Sequence, residues 1–447
     1  MELDTDVLVL GGCTAGLYFG GLMAKHGYRT LICDISPEEK IGDRYTVIHI
    51  GKEYFGRFGI PEPVPGDPDY LKCFSDSIIR SALNTHPKIA SSSPMLVLRR
   101  QALMRRIAEW AQKQGARLMY DTGFKQPVFN DKGQLAGVVL NQKEKELRVT
   151  ARLCADASGS PAVLRTRLNE KCGVETFQIG TRDKSYLILH YVKLKNPEKD
   201  QVNSVTTWCP LHIWLAPSDN PNGALIGVGT GFSYEKAEQN FNAFVQNGYL
   251  PEYEFDFAEK SNNCRHRPLH SFVADGFVAL GDAACIANPR SGEGVTPAWY
   301  HGSVAAEEFG RAMKNGAYPL RDAVWKVNSR YMYNMGALYA MQFANRTAVS
   351  GCSAEETDYL FKQSIFYRAE TEQGKGGDGI RLLRALISGR LSRERIRNFR
   401  ASMAIGKRIY KHYQAYPENP EGFDSWVRKA NELWVQADNM PGADNPY

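Results

Sequence analysis

Residues 5–34 read TDVLVLGGCTAGLYFGGLMAKHGYRTLICD. Val7, Leu8, Val9 and Leu10 make a short apolar run suited to a buried parallel strand. A tight turn follows at Gly11 and Gly12, then an apolar helix from about Thr14 to His26 that Gly27 stops. A second strand, Thr30 to Cys33, ends at Asp34. This is a βαβ unit with the glycine turn and terminal acid of a dinucleotide site. Free N–H groups at the helix start attract a pyrophosphate, and the acid accepts hydrogen bonds from ribose hydroxyls. The middle glycine of G-x-G-x-x-G is replaced, since the series runs Gly11, Cys13, Gly16. Cys13 reads first as a space-filling residue; a thiolate there would face a phosphate, which opposes ionisation.

Outward from this unit, the 447 residues are enough for two or three structural units with a large core. With 43% apolar and 23% charged residues the balance is ordinary for a globular chain. The first strand starts almost at once, leaving no visible signal peptide, and no apolar stretch approaches the roughly 20 residues of a spanning helix. Nine cysteines are scattered without a CxxC pair. That pattern points to a reducing cytoplasm and away from zinc or an iron–sulfur cluster, so no metal is expected. The net charge of +6 is uneven: residues 380–412 hold eight Arg and two Lys against one Glu. So local a concentration does not describe a nucleic-acid protein. Its apolar residues, Leu382 to Phe399, make it a candidate for peripheral contact with an anionic membrane. A solvated basic face on a packed helix is the commoner reading and the one favoured.

Residues 36–66 read as a loop-rich segment in which Arg44, Tyr45 and His49 are candidates to face a cofactor or substrate. Residues 96–116 give an extended LVLR and then a helix with Leu103, Ile107 and Trp110 at helical spacing and Arg100 at its start. Strands then alternate to Asp156-Ala157-Ser158-Gly159, followed by Arg165. Residues 180–275 are strand-rich with one helix near 235–247, and Trp208, His212 and Trp214 could line an apolar pocket there. Residues 276–310 return to the first pattern: a strand Phe277–Leu280, then Gly281-Asp282, then the loop NPRSGEG and a helix from about Thr296. An aspartate here can hold a ribityl chain, and the loop would set a positive helix end against a flavin pyrimidine ring. A nicotinamide enzyme needs no such second site, so the pattern selects FAD over NAD. Residues 311–447 read as mostly helical, with a glycine-rich break at 374–379.

Three motifs thus stand in order: GGCTAG with Asp34, DASG with Arg165, and GDAACIANPRSGEG. This order resembles the FAD enzymes of p-hydroxybenzoate hydroxylase architecture, and among them the geranylgeranyl reductase family, over about residues 5–310. Asp156 and Gly159 are separated by two residues, as in geranylgeranyl reductases and some flavin halogenases; the halogenase W-x-W-x-I-P is not found. The reductases' aromatic-x-Trp followed by G-x-G is similar to His212-Ile213-Trp214 followed by Gly227-Val228-Gly229, with a histidine in the aromatic position and a long spacer.

The resemblance implies an α/β protein: a Rossmann-like FAD-binding domain (1–179 and 276–320), an inserted antiparallel-sheet substrate domain (180–275) and a helical C-terminal region (321–447). It implies hydride transfer from flavin N5 to a C=C bond of a hydrophobic, isoprenoid-type substrate, with NAD(P)H or a ferredoxin-like carrier as electron donor. A flavin monooxygenase or halogenase-like enzyme is the alternative, and a membrane electron carrier to quinone ranks third. The expected cofactor residues are Gly11, Gly12, Cys13, Thr14, Ala15, Gly16 and Asp34, then Arg44 and Arg100, then Asp156 and Gly159. The third motif adds Gly281, Asp282, Pro289, Gly292, Gly294 and Val295. His49, Trp208, His212 and Trp214 are the substrate candidates, and no residue is singled out as the catalytic acid.

Overall fold

The structure, a computed structural model, describes residues 2–43, 45–143, 145–317, 320–367 and 378–442. Among them, an eight-stranded sheet is built on the first strand, Glu2–Leu10. It pairs in parallel with Thr30–Cys33 on one side and Lys145–Asp156 on the other, and Phe277–Ala279 continues the parallel order. Val7, Leu8 and Val9 are wholly buried, as a strand covered on both faces requires. The register matters for function. Leu10 stands opposite both Cys33 and Asp156, and Asp156 opposite Ala279. Four parallel strands therefore end level, and the turns after them, at Gly11, Asp34, Ala157 and Leu280, share one edge. Ligands of open α/β sheets bind at such carboxyl ends.

A seven-stranded sheet runs Tyr253–Cys264, Lys184–Leu194, Gly223–Gly231, Ile213–Pro217, Ser204–Cys209, Asp76–Ser81, Lys88–Ser91. Its last two strands come from within residues 1–179, from a stretch in which the sequence reading named no strand. Period-two alternation splits its side chains between two layers. Ile188, Ile226 and Val228 pack under the helix Tyr234–Val245, whereas Leu189 and Leu225 face Val47 and Val97 of a three-stranded sheet. Residues 36–66 are more ordered than expected. They contain the strand Val47–Gly51 and the helix Glu53–Phe58, held by buried Phe55 and Phe58.

The C-terminal region is helical and divides in two. Helices Arg393–Gln414 and Phe423–Asp438 put Ile409, Tyr413, Trp426 and Trp434 into the same continuous core as the first strand. Described residues between Ala348 and Phe399 form a separate apolar cluster around Leu360, Ile365, Leu382 and Phe399. Most of the glycine-rich break expected at 374–379 lies outside the described residues. No helix among the described residues is long and apolar enough to cross a membrane.

Candidate active site

The level strand ends open into a cavity of about 940 Å³. Its first wall is the glycine turn. Gly11 has φ +111°, and a Cβ there would lie 2.2 Å from the Ala157 carbonyl oxygen. Only glycine lets the turn after the first strand press against the turn after Asp156. Gly16 lets the helix seat on the turn, since a Cβ would meet the Gly11 carbonyl at 1.9 Å. Cys13 occupies the N-cap of helix Thr14–Lys25 in extended backbone, which tolerates a Cβ, and no side chain caps the helix start. The helix end is thus left to an anion. Asp34 accepts from Gly12 N at 2.6 Å and Ser36 N at 2.8 Å, and its carboxylate still faces the cavity.

The opposite wall is the third motif. Gly281 and Asp282 follow the strand Phe277–Ala279, and Pro289, Gly292, Gly294 and Val295 lead into the helix Val295–Lys314, which again has no side-chain cap. Gly292 has φ +74° and its carbonyl accepts from Asn263 at 3.0 Å, which ties this loop to the seven-stranded sheet. Burial raises the Asp282 carboxyl to about 6. Arg100 lies over the Tyr45 ring at 5.1 Å, and its buried Nη1 has no partner among the described residues. A cradle that any Cβ would fill, two uncapped helix starts, a cavity-facing acid and a guanidinium donor with no partner among the described residues together fit an FAD.

Away from the glycine motifs, the cavity runs over the apolar face of the second sheet, along Leu187, Leu189, Leu225, Val47 and Trp214. Trp214 pairs with Gly227 across the sheet, and a Cβ on Gly227 would fall 2.0 Å from the indole. The G-x-G is the recess that seats the tryptophan, and the long spacer is the hairpin between the two strands. His49 and His212 also line this part. His49 Nε2 donates to the Pro217 carbonyl at 3.0 Å, which fixes its tautomer. Burial pushes its imidazole down to about 4. Burial, with Arg265 and Arg290 nearby, pushes His212 to about 3. Both are neutral near pH 7.

Several expectations are corrected. Trp208 does not face the cavity: its indole donates to Asn84 Oδ1 at 2.9 Å and packs on Phe244 beneath the sheet. Asp156 is wholly buried and its carboxylate is consumed by its own loop. Ser158 N and Oγ donate to one oxygen, Leu164 N and Arg165 N to the other. It shapes the turn that Ser158, Gly159 and Ser160 present to the cavity. Gly12, Ala15 and Gly16 stand behind the residues that line the cavity. Arg44 lies outside the described residues. Lys184, Arg265 and Arg290 also line the cavity and were missed. Arg290 stands inside the quoted NPRSGEG loop and could have been read from it; Lys184 and Arg265 follow no motif.

No family model matches the chain. The digeranylgeranylglycerophospholipid reductase of Sulfolobus acidocaldarius is 22% identical over 97% of this chain and 98% of its own length. A geranylgeranyl bacteriochlorophyll reductase-like protein from Thermoplasma acidophilum superposes with a TM-score of 0.72 at 16% identity, covering 97% of this chain and 100% of that one. A flavin-dependent brominase superposes with a TM-score of 0.57 at 16% identity, over 96% and 100% of the two chains. In sequence over nearly its whole length, and in fold, the chain is geranylgeranyl reductase-like.

Proposed function

We propose that the chain is an FAD-dependent reductase that saturates a C=C bond of an isoprenoid-type lipid. The observation that carries this reading is the continuity of one cavity from the glycine edge to the apolar face of the second sheet. Bound FAD supplies the hydride. The chain's own residues do the rest. The starts of helices Thr14–Lys25 and Val295–Lys314 would hold the cofactor's negative charge, the first at its pyrophosphate and the second at its pyrimidine side. Leu187, Leu189, Leu225 and Trp214 take an alkene chain out of water. Neutral His49 and His212 present no buried charge to it, which would cost affinity. The names of the relatives support the lipid class, and we assign electron supply to NAD(P)H or a ferredoxin-like carrier.

The test is to reduce the FAD-loaded protein anaerobically, add a geranylgeranyl lipid and weigh the product. Gain of two hydrogens per saturated bond supports the reading. Gain of oxygen or halogen in air, with alkenes left intact, would transfer the protein to the monooxygenase or halogenase reading.

A further inference from the structure

Helix Asp378–Ile387 is apolar on two faces. Leu382 and Ala385 are buried in the 348–399 cluster. Ile380, Leu383 and Ile387 point the other way and are 61%, 56% and 78% exposed. Their spacing of three and four places them in one stripe along the helix. An outward apolar stripe of this kind on a short helix adds nothing to the core, so it marks an interaction surface. Arg384 on the same helix, Arg390 just after it, and Arg393, Arg397 and Arg400 on the next helix are all exposed. None of these five joins an ion pair among the described residues.

The cluster that carries the stripe is anchored beside the cavity. Ser81 and Thr85 donate to Asp358, and Lys88 donates to Ser364 Oγ at 2.7 Å, which fixes it to the edge of the seven-stranded sheet. Arg290, a cavity-lining residue, lies over the rings of Phe366 and Tyr367 at 5.9 and 4.9 Å.

We infer that this stripe and its arginines dock the protein on an anionic bilayer. The charge decides the occupant. Exposed apolar side chains on a segment rich in exposed arginines that pair with none of the described residues match acyl chains below phosphate headgroups, whereas a second copy would bring the same positive charges against each other. The inference deepens the proposed function, because a lipid substrate would then be drawn from the surface on which the enzyme sits. Sequence pattern alone favours a solvated basic face. The exposure of the stripe reverses that preference.

The test is co-sedimentation of the full FAD-loaded chain with vesicles of phosphatidylcholine alone or mixed with phosphatidylglycerol. Binding is expected only to the anionic vesicles, and it should weaken with salt. An Ile380→Ser/Leu383→Ser/Ile387→Ser variant should lose roughly tenfold or more in vesicle affinity. Its flavin spectrum and its turnover of a detergent-dispersed short alkene should not change. Three outcomes would overturn the inference: no binding by the parent protein, equal binding by the variant, or a parent dimer that the variant dissociates. Vesicle binding without alkene reduction would instead sink the proposed function and leave this surface standing.

Discussion

Gly11 and Gly294 both belong to glycine motifs, yet the structure asks different things of them. At Gly11 a Cβ meets the Ala157 carbonyl at 2.2 Å in a backbone with φ +111°; at Gly294 the nearest atom would be 3.7 Å away. Gly11→Ala should therefore weaken FAD binding by at least about tenfold, some 1.4 kcal/mol, while Gly294→Ala binds normally. Flavin titration by fluorescence quenching checks both. His301 is a residue of another kind. It is wholly buried beside Phe272 and Tyr331, both ring nitrogens lack partners among the described residues, and burial pushes it to about 3. A buried polar group without a partner costs stability, so His301→Leu should stabilise the protein by about 1 kcal/mol at pH 7. The pH dependence has a definite sign. His49, His212 and His301 fall from 6.5 to about 4, 3 and 3 in the folded state. The unfolded chain binds more protons at these three groups in that window, so their contribution to stability is full above about 6.5 and is lost as pH falls toward 4. Urea midpoints at pH 7.5 and 5.5 should show the drop, and His301→Leu should make it shallower.

Elements explain what the sequence made legible. The first βαβ unit could be read because its signals are local: an apolar run, a turn, a helix stop and an acid lie within 30 consecutive residues. Trp208 and Trp214 could not be told apart in that way. They are six residues apart, which in an unbroken strand would put them on one face. A turn intervenes, with His212 at φ +50°, and the chain folds back so that Trp208 pairs with Ile213 and Trp214 with Thr207. Cross-strand partners share a face, so the two indoles end on opposite sides. Strands Asp76–Ser81 and Lys88–Ser91 escaped notice for a related reason. Asp76–Ser81 pairs in parallel with Ser204–Cys209, far along the chain, and neither strand alternates cleanly enough to announce a partner. The hairpin also yields a prediction. Gly227→Ala would push Trp214 out of its recess, so the KM for a lipid substrate should rise several-fold while FAD affinity stays unchanged. Equal losses in both would mean that the hairpin supports the flavin end instead.

At the scale of the whole molecule, helices Arg393–Gln414 and Phe423–Asp438 are part of the core built on the first strand rather than an appendage. The helical pattern of residues 321–447 was plain in the sequence, but the partner of those helices was not, because a helix face reads as apolar without saying what covers it. The join is built around Glu175, on the segment that follows the DASG loop. Its carboxylate pairs with Arg267 at 2.6 Å and accepts from His270 N at 2.6 Å; Tyr416 Oη then donates to the His270 carbonyl at 2.8 Å, and Arg267 lies 5.9 Å over Trp434. Burial alone would raise the Glu175 carboxyl, but Arg267 and His270 outweigh it and hold the group well below its usual range. Removing one partner of such a pair strands the other. With the carboxylate about a quarter exposed, Glu175→Gln should cost about 2–4 kcal/mol, toward the lower part of the range for breaking a buried ion pair. Because Arg267 leads directly to the GDAA strand and Tyr416 to the last helices, the loss should appear as one cooperative transition at a lower denaturant midpoint. An early transition confined to the C-terminal helices, with FAD still bound, would show instead that the two parts fold separately.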